Sequence, residues 1–231
     1  MKPLEAELDR ARDLDVDALA DAIETIGFEC TRCGACCKSE SGCGADDADE
    51  EPHTATVFPD EVRTLQSAAD TDDYDWRDVA RPMPYGLTEG PDGPEGETFE
   101  WALQTDDCGD CVFYEEGDDD YSGACAVHED RPLICQTYPF SVDLGGTSQP
   151  MGEAVDEEGM VRAHECEGLG RDIDRADAVD LAEALKARAV RELEEAISVR
   201  DAFEPVETDT GEVVVHDSEG AKRPDGTPVD D

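Results

Sequence analysis

Residues 30–37 read CTRCGACC, so four cysteines fall within eight positions. A C-x2-C spacing lets two thiolates from one tight turn reach a single metal ion at about 2.3 Å. Cysteines at i, i+3 and i+6 are also a common way of holding an iron–sulfur cluster. The side chains of adjacent residues diverge, so Cys36 and Cys37 are not expected to bind one tetrahedral ion together, and a disulfide between them would be strained. The stretch therefore predicts a metal-binding loop.

The expected cellular compartment decides whether the cysteines are expected to form disulfides. The first residues, MKPLEAELDR, lack the apolar core of a signal peptide, and no run approaches the ~18 apolar residues that a membrane-spanning helix needs. We expect a cytoplasmic protein with no membrane association. In a reducing compartment, ten cysteines are not expected to form a disulfide framework.

The charge of the chain is strongly one-sided. Asp and Glu number 62 against 18 Lys and Arg, which gives a net charge of −44, and the acids are spread from Glu5 to Asp231. This distribution favours a halophilic protein, because screening over ~3 Å at 1 M salt removes the self-repulsion. An ordinary acidic protein is the alternative. Nucleic acid is not an expected partner, because the surface cannot neutralise phosphates.

Four motifs occur together in a specific order: CTRCGACC, then VFPDEVRTL, then CVFYEEGDDDYSGACAVHEDRPLICQTYPF, and finally CEGLG at 166–170. Over residues 28–170 the chain resembles the YkgJ-type cysteine-cluster proteins, the zinc- or iron-chelating CxxCxxCC family. In this family His128 stands where an aromatic residue is frequent, and Cys43 and Cys108 fall outside the pattern. The resemblance implies eight metal ligands: Cys30, Cys33, Cys36, Cys37, Cys111, Cys125, Cys135 and Cys166.

Eight cysteines that include a divergent pair suggest two four-ligand sites, or one site with a reserve of thiols, and we favour two. Tetrahedral sulfur ligation suits an iron–sulfur cluster and zinc equally well, so both stay open. Arg32, Lys38 and Arg131 lie close in sequence to the cysteines and are candidates for offsetting thiolate charge, although each could serve only a local ion pair or turn.

The helices and strands expected from the sequence predict an α+β fold. It has a small, irregular, metal-organised core of short antiparallel strands, flanked by N- and C-terminal helices. Strands are expected near residues 54–58, 99–104, 112–114, 125–127 and 140–144, and a helix is expected to begin at Pro59. Residues 70–97, rich in Asp, Pro and Gly, predict a surface insertion. The expected organisation is a helical segment at 1–27, a metal-binding domain at 28–170, an amphipathic helix at 171–204 and an acidic disordered tail at 205–231.

The function that these features favour is metal binding through clustered cysteines, with electron transfer or an oxidoreductase role if the metal is iron. The alternative is a structural zinc domain that serves as a protein- or RNA-interaction module. No GxGxxG, HExxH or GxSxG motif is present, so no enzyme class is indicated. Among the histidines, His128 is the best further ligand candidate, whereas His53, His164 and His216 are expected at the surface. The segment Tyr138–Phe140 is expected to shield the site with apolar side chains.

Overall fold

A computed structural model of the chain describes residues 3–39, 52–68, 74–91, 93–117, 123–145, 154–156, 159–206 and 211–229. Its α-helices are α1 Leu4–Arg12, α2 Val16–Ile26, α3 Pro59–Ala68, α4 Trp76–Val79, α5 Leu133–Thr137 and α6 Arg175–Ala202. Its strands are β1 Thr56–Val57, β2 Ala80–Pro82, β3 Thr88–Gly90, β4 Gly93–Thr98, β5 Trp101–Leu103, β6 Tyr114–Glu116, β7 Gly123–Cys125, β8 Phe140–Val142, β9 Ala154–Asp156, β10 Val161–His164, β11 Val213–Asp217 and β12 Gly220–Lys222. The predicted α+β class is confirmed.

The chain divides into two compact units, and each draws on several separate segments. The first unit comprises Met1–Cys36, Gly117–Gly123 and Leu133–Ile197, and the second comprises Cys37–Glu116, Ala124–Pro132 and Ser198–Asp231. The division falls between the adjacent cysteines Cys36 and Cys37. Each unit therefore contains part of the cysteine motif.

The first unit packs α1, α2 and α6 around the antiparallel sheet β8-β10-β9. The helices bury Leu8 from α1, Leu19 and Ile23 from α2, and Leu185 from α6. Full burial of one such side chain stabilises the fold by about 1.5–3 kcal/mol. The helical segment expected at 1–27 forms two helices, and Asp15 accepts a hydrogen bond from the Ala18 amide (2.8 Å) as the N-cap of α2.

One arginine joins the N-terminal end of α6 to α2 within this unit. The Arg175 guanidinium contacts Asp17 at 2.8 Å, Asp21 at 2.6 Å and Glu24 at 2.6 Å. Hydrogen bonds to these carboxylates raise the pKa of Arg175. Because the pairs are solvent-exposed, they orient the two helices more than they stabilise them.

The second unit contains the sheets β1-β5-β2 and β12-β11-β4-β3. Helix α3 begins at Pro59, as predicted, and buries Val62 and Leu65. The Trp101 ring is 1% exposed and meets Trp76 edge to face with centroids 5.1 Å apart. Most of the strand pairs are antiparallel, as predicted, but β11 pairs with β4 in parallel.

The expectation of a disordered tail at 205–231 is wrong for the part that forms β11 and β12. Val215 is fully buried, and Lys222 is 5% exposed beside Asp217 at 2.8 Å. The Asp217 carboxylate also accepts a hydrogen bond from the Trp101 indole nitrogen at 2.8 Å. The sequence of this segment is largely polar, which is why it predicts disorder. Its buried polar groups pair with one another, and the local sequence does not reveal that pairing.

The expectation of a surface insertion at 70–97 is also wrong for the described part of that segment. Helix α4 and strands β2, β3 and β4 occupy it, and Trp76, Val79 and Met83 are buried. Pro94 is compatible with its strand because β11 pairs with β4 only from Gly96 onward. The missing amide of the proline therefore removes no hydrogen bond on that side. Within the part of the chain that the structure describes, no helix is long and apolar enough to cross a membrane.

Candidate metal centre

The cysteine loop follows α2 through a sequence of backbone turns. Gly27 ends the helix with a φ of +77°. Arg32 (φ +57°) and Gly34 (φ +78°) adopt left-handed conformations between the cysteines, which is uncommon for a residue with a side chain such as arginine. A short 3-10 helix then spans Ala35–Cys37. The two left-handed residues therefore lie between successive cysteines of the motif.

The CEGLG segment lies along the residues that lead into Cys30, within the first unit. Phe28 and Leu169 form an isolated antiparallel bridge, and the Glu29 amide donates to the Gly168 carbonyl at 3.1 Å. A Cβ at Gly168 would lie 2.4 Å from the Glu29 carbonyl oxygen, so no larger residue fits this approach. Gly168 was not identified from the sequence, although the spacing of the two glycines in CEGLG could have indicated a close backbone approach.

This approach brings Cys166 near the thiols of the cysteine loop. Burial raises the pKa of the Cys166 thiol, and the charges of Cys33, Cys36 and Cys30 raise it further, while a hydrogen bond from the Gly168 amide opposes them. That amide lies 3.4 Å from the Cys166 sulfur. A bound cation would relieve the mutual repulsion of such thiolates.

Tyr138 stands beside the same group of thiols. Its hydroxyl donates to the carbonyl of Glu165, the residue before Cys166. Burial raises the pKa of Tyr138 to about 12, with further contributions from the charges of Cys166 and Cys36. The hydroxyl therefore stays protonated and available as a donor at neutral pH. Phe140, which is fully buried, meets Phe28 edge to face at 5.7 Å.

The second unit brings together three other motif cysteines. The Cys111 amide donates to the Cys37 carbonyl at 2.8 Å. Strand β6, which begins three residues after Cys111, pairs with β7, which ends at Cys125. The Ala126 amide also donates to the Phe113 carbonyl at 2.9 Å. The backbones that carry these three cysteines are therefore neighbours.

The eight cysteines of the predicted ligand set are not disulfide-bonded. Five of them belong to the first unit and three to the second: Cys30, Cys33, Cys36, Cys135 and Cys166 in one, and Cys37, Cys111 and Cys125 in the other. Cys108 is disulfide-bonded. Cys43 lies outside the described residues. Among the described side chains, no three or more Cys, His, Asp or Glu are arranged to hold a metal ion as they lie.

Two histidines expected at the surface are buried. His164 is 3% exposed, and its Nε2 lies 2.9 Å from the Ser141 hydroxyl, across the pair β8 and β10. His216 is 1% exposed and contacts the rings of Phe99 and Phe203. Tertiary packing, rather than the polarity of the neighbouring residues, determines their burial.

The other two histidines differ in exposure. His53 is partly buried, and burial lowers its pKa to about 4, with the charge of Arg81 acting in the same direction. The His128 side chain is 52% exposed, and its Nδ1 lies 3.3 Å from the Glu129 carboxylate. His128, the histidine that the sequence favours as a further ligand, therefore lies beside the Glu129 carboxylate.

Two of the three cations predicted to offset thiolate charge, Lys38 and Arg131, have other contacts. Lys38 lies 3.1 Å from the Glu116 carboxylate and 4.9 Å from the centre of the Tyr114 ring. The Arg131 Nε donates to the His128 carbonyl at 2.8 Å. These contacts are a local ion pair and a turn contact, which the sequence leaves open as the alternative to offsetting thiolate charge.

A cavity of about 550 Å³ opens beside Cys30 in the first unit. Its wall combines apolar side chains with carboxylates: Phe28, Glu29, Cys30, Asp172, Ile173, Asp174, Asp177 and Leu181. The volume lies within the range of small-molecule sites. One cysteine of the motif therefore lines a cavity.

Comparison with known proteins supports the chemistry of this donor set. Residues 29–167 match the CxxCxxCC family, which is described as a zinc- or iron-chelating domain. No curated protein and no solved structure matches the chain. The matched segment contains all eight predicted ligands and covers more than half of the sequence. The chain belongs to the CxxCxxCC family of zinc- or iron-chelating domains.

Proposed function

We propose that this protein binds metal at two thiolate sites, one in each compact unit. The first draws its ligands from Cys30, Cys33, Cys36, Cys135 and Cys166, and the second from Cys37, Cys111 and Cys125. The observation that carries the proposal is the backbone approach of the Cys166 segment to the residues before Cys30, where the Glu29 amide donates to the Gly168 carbonyl at 3.1 Å, because the two segments lie at opposite ends of the family match.

The separation of Cys36 from Cys37 supports two sites rather than one. Adjacent residues project their side chains apart, and the boundary between the compact units falls between these two. Each neighbour can then serve the group of its own unit. Metal binding would draw the thiolates of a group closer together, because coordination free energy contributes directly to folding.

With sulfur donors, the group bound is zinc or an iron–sulfur cluster. A cluster would supply one-electron redox chemistry, whereas zinc ligated only by thiolates would have a structural role. The protein itself supplies the ligands, the hydrogen bond from Gly168 to the Cys166 sulfur, and the apolar wall at Phe28 and Phe140. We favour the iron–sulfur form with an electron-transfer role, in a cytoplasmic and salt-adapted protein.

A structural zinc domain that binds another protein is the second candidate. Phe99 and Phe203 favour it, because they are 50% and 40% exposed with ring centroids 5.8 Å apart. Exposed neighbouring aromatic rings are typical of protein-interaction surfaces. The net charge of −44 argues against RNA as the partner.

One experiment separates the candidates. Protein purified without oxygen at high salt would be analysed for iron, zinc and acid-labile sulfide, and its visible spectrum recorded before and after dithionite. Iron with sulfide and a band that dithionite bleaches is the expected result. Colourless protein with zinc would replace the redox role by the structural one, and protein that binds neither metal after anaerobic reconstitution would refute the proposal.

A further inference from the structure

An arginine outside the family match contacts the corner that precedes the Cys166 segment. Arg188 belongs to α6 and is 5% exposed. Its Nη1 donates to the Thr137 hydroxyl oxygen at 3.0 Å and to the Phe140 carbonyl at 3.3 Å. Its Nε pairs with Glu192 at 2.6 Å on the same helix. Arg188 thus holds both ends of the corner between α5 and β8.

The corner in turn contacts the residues before Cys166. The Tyr138 hydroxyl donates to the Glu165 carbonyl, and the His164 amide donates to the Pro139 carbonyl at 2.9 Å. These bonds lie immediately before Cys166 in sequence. Cys135 lies on α5, two residues before Thr137. A displacement of the corner would therefore move two of the proposed ligands.

The burial of a charged group at this position needs a reason. Removing a guanidinium from water costs several kcal/mol, and an apolar side chain of similar length would fill the same volume without that cost. Arginine adds two directed hydrogen bonds to the corner, which methionine cannot provide. These bonds restrict its position, whereas apolar packing alone tolerates small shifts.

We propose that Arg188 is a positioning residue for the first metal site, acting through the corner at Thr137–Phe140 on Cys166. This inference rests on the proposed ligand role of Cys166. Residues that orient metal ligands through hydrogen bonds commonly contribute 10–100-fold to metal affinity. Since Arg188 acts through an intermediate segment, we expect an effect of about tenfold.

The test compares Arg188→Met with Arg191→Met in the full-length chain. Arg191 lies on the same helix and has a similar i,i+4 pair, with Glu195 at 2.8 Å. Cobalt(II) serves as the probe, with affinity read from the sulfur-to-cobalt charge-transfer band and by competition with a chromophoric chelator. We expect about tenfold weaker binding in Arg188→Met and a change under about twofold in Arg191→Met.

A second readout separates positioning from general stability. The increase in Tm on cobalt binding should shrink in Arg188→Met, because ligand-linked stabilisation depends on affinity. A purely structural role would lower the Tm of the metal-free and metal-bound forms equally. If Arg188→Met does not fold, Thr137→Val removes one acceptor of the same contact and should reproduce the loss of affinity.

The outcomes distinguish this inference from the proposed function. If the wild type binds no cobalt at the first site, the ligand assignment fails. If the wild type binds cobalt but the Arg188 and Thr137 variants match the Arg191 control in affinity and band position, the positioning role alone is wrong.

Discussion

The substitution Gly168→Ala tests the approach between the Cys166 segment and the cysteine loop. The new Cβ would lie 2.4 Å from the Glu29 carbonyl oxygen. A carbon–oxygen contact needs at least about 3.3 Å, so the two backbones must separate by roughly 0.9 Å. The oxygen belongs to the backbone of the residue before Cys30, so no side-chain rotation relieves the contact.

Two contributions set the cost in stability. Inserting a methyl group into a tight contact costs about 1–3 kcal/mol, and loss of the 3.1 Å hydrogen bond from Glu29 to Gly168 adds about 1 kcal/mol. The metal site should respond more sharply, because metal–ligand distances vary by only about 0.2 Å. We expect the free energy of unfolding of the metal-free protein to fall by about 2–4 kcal/mol. We expect the first site to bind cobalt at least about tenfold more weakly.

The assay combines urea unfolding of metal-free protein with the cobalt titration. Gly170→Ala is the matched control: the Gly170 φ of +74° makes alanine cost about 1–2 kcal/mol, but among the described residues, apart from the two neighbours in the chain, no atom lies within 4 Å of the new methyl. The control should lose stability and retain affinity. Equal cobalt affinities in the Gly168 and Gly170 variants would refute the reasoning, because the contact between the new methyl and the Glu29 carbonyl oxygen would then have no effect on the metal site.

Three further predictions address the rest of the molecule. Lys222→Met should destabilise the protein by about 3–5 kcal/mol in urea unfolding, because it leaves the Asp217 carboxylate, 2% exposed, without its cation; a loss below about 1 kcal/mol would contradict the buried pair. The free energy of unfolding of metal-free protein should fall as the pH drops from 6.5 to about 4, since His53 binds a proton in that window only when unfolded. His53→Asn should flatten that part of the curve, and parallel curves for wild type and variant would contradict the assignment. Finally, raising NaCl from about 0.1 to 2 M should increase the free energy of unfolding, because salt screens the net charge of −44; unchanged or lower stability would argue against salt adaptation.

Local patterns in the sequence were sufficient for the features that depend on neighbouring residues. The boundary of α2 at Gly27, the start of α3 at Pro59 and the extent of α6 follow from helical spacing and end signals that act over a few residues. Membership of a zinc- or iron-chelating family was predictable from the spacing and order of the cysteines, because a C-x2-C spacing lets two thiolates from one tight turn reach a single ion. These features were predictable from the sequence.

Pairing between distant segments decided the rest. The strand at Val213–Asp217 pairs with β4, and the polar groups of its hairpin are buried through partners such as Trp101. His164 is buried because β10 pairs with β8. The sequence alone determined that this chain belongs to a family of zinc- or iron-chelating domains. Only the tertiary structure decided which cysteines share a compact unit, because that depends on long-range backbone contacts, such as Glu29 with Gly168, that no local pattern encodes.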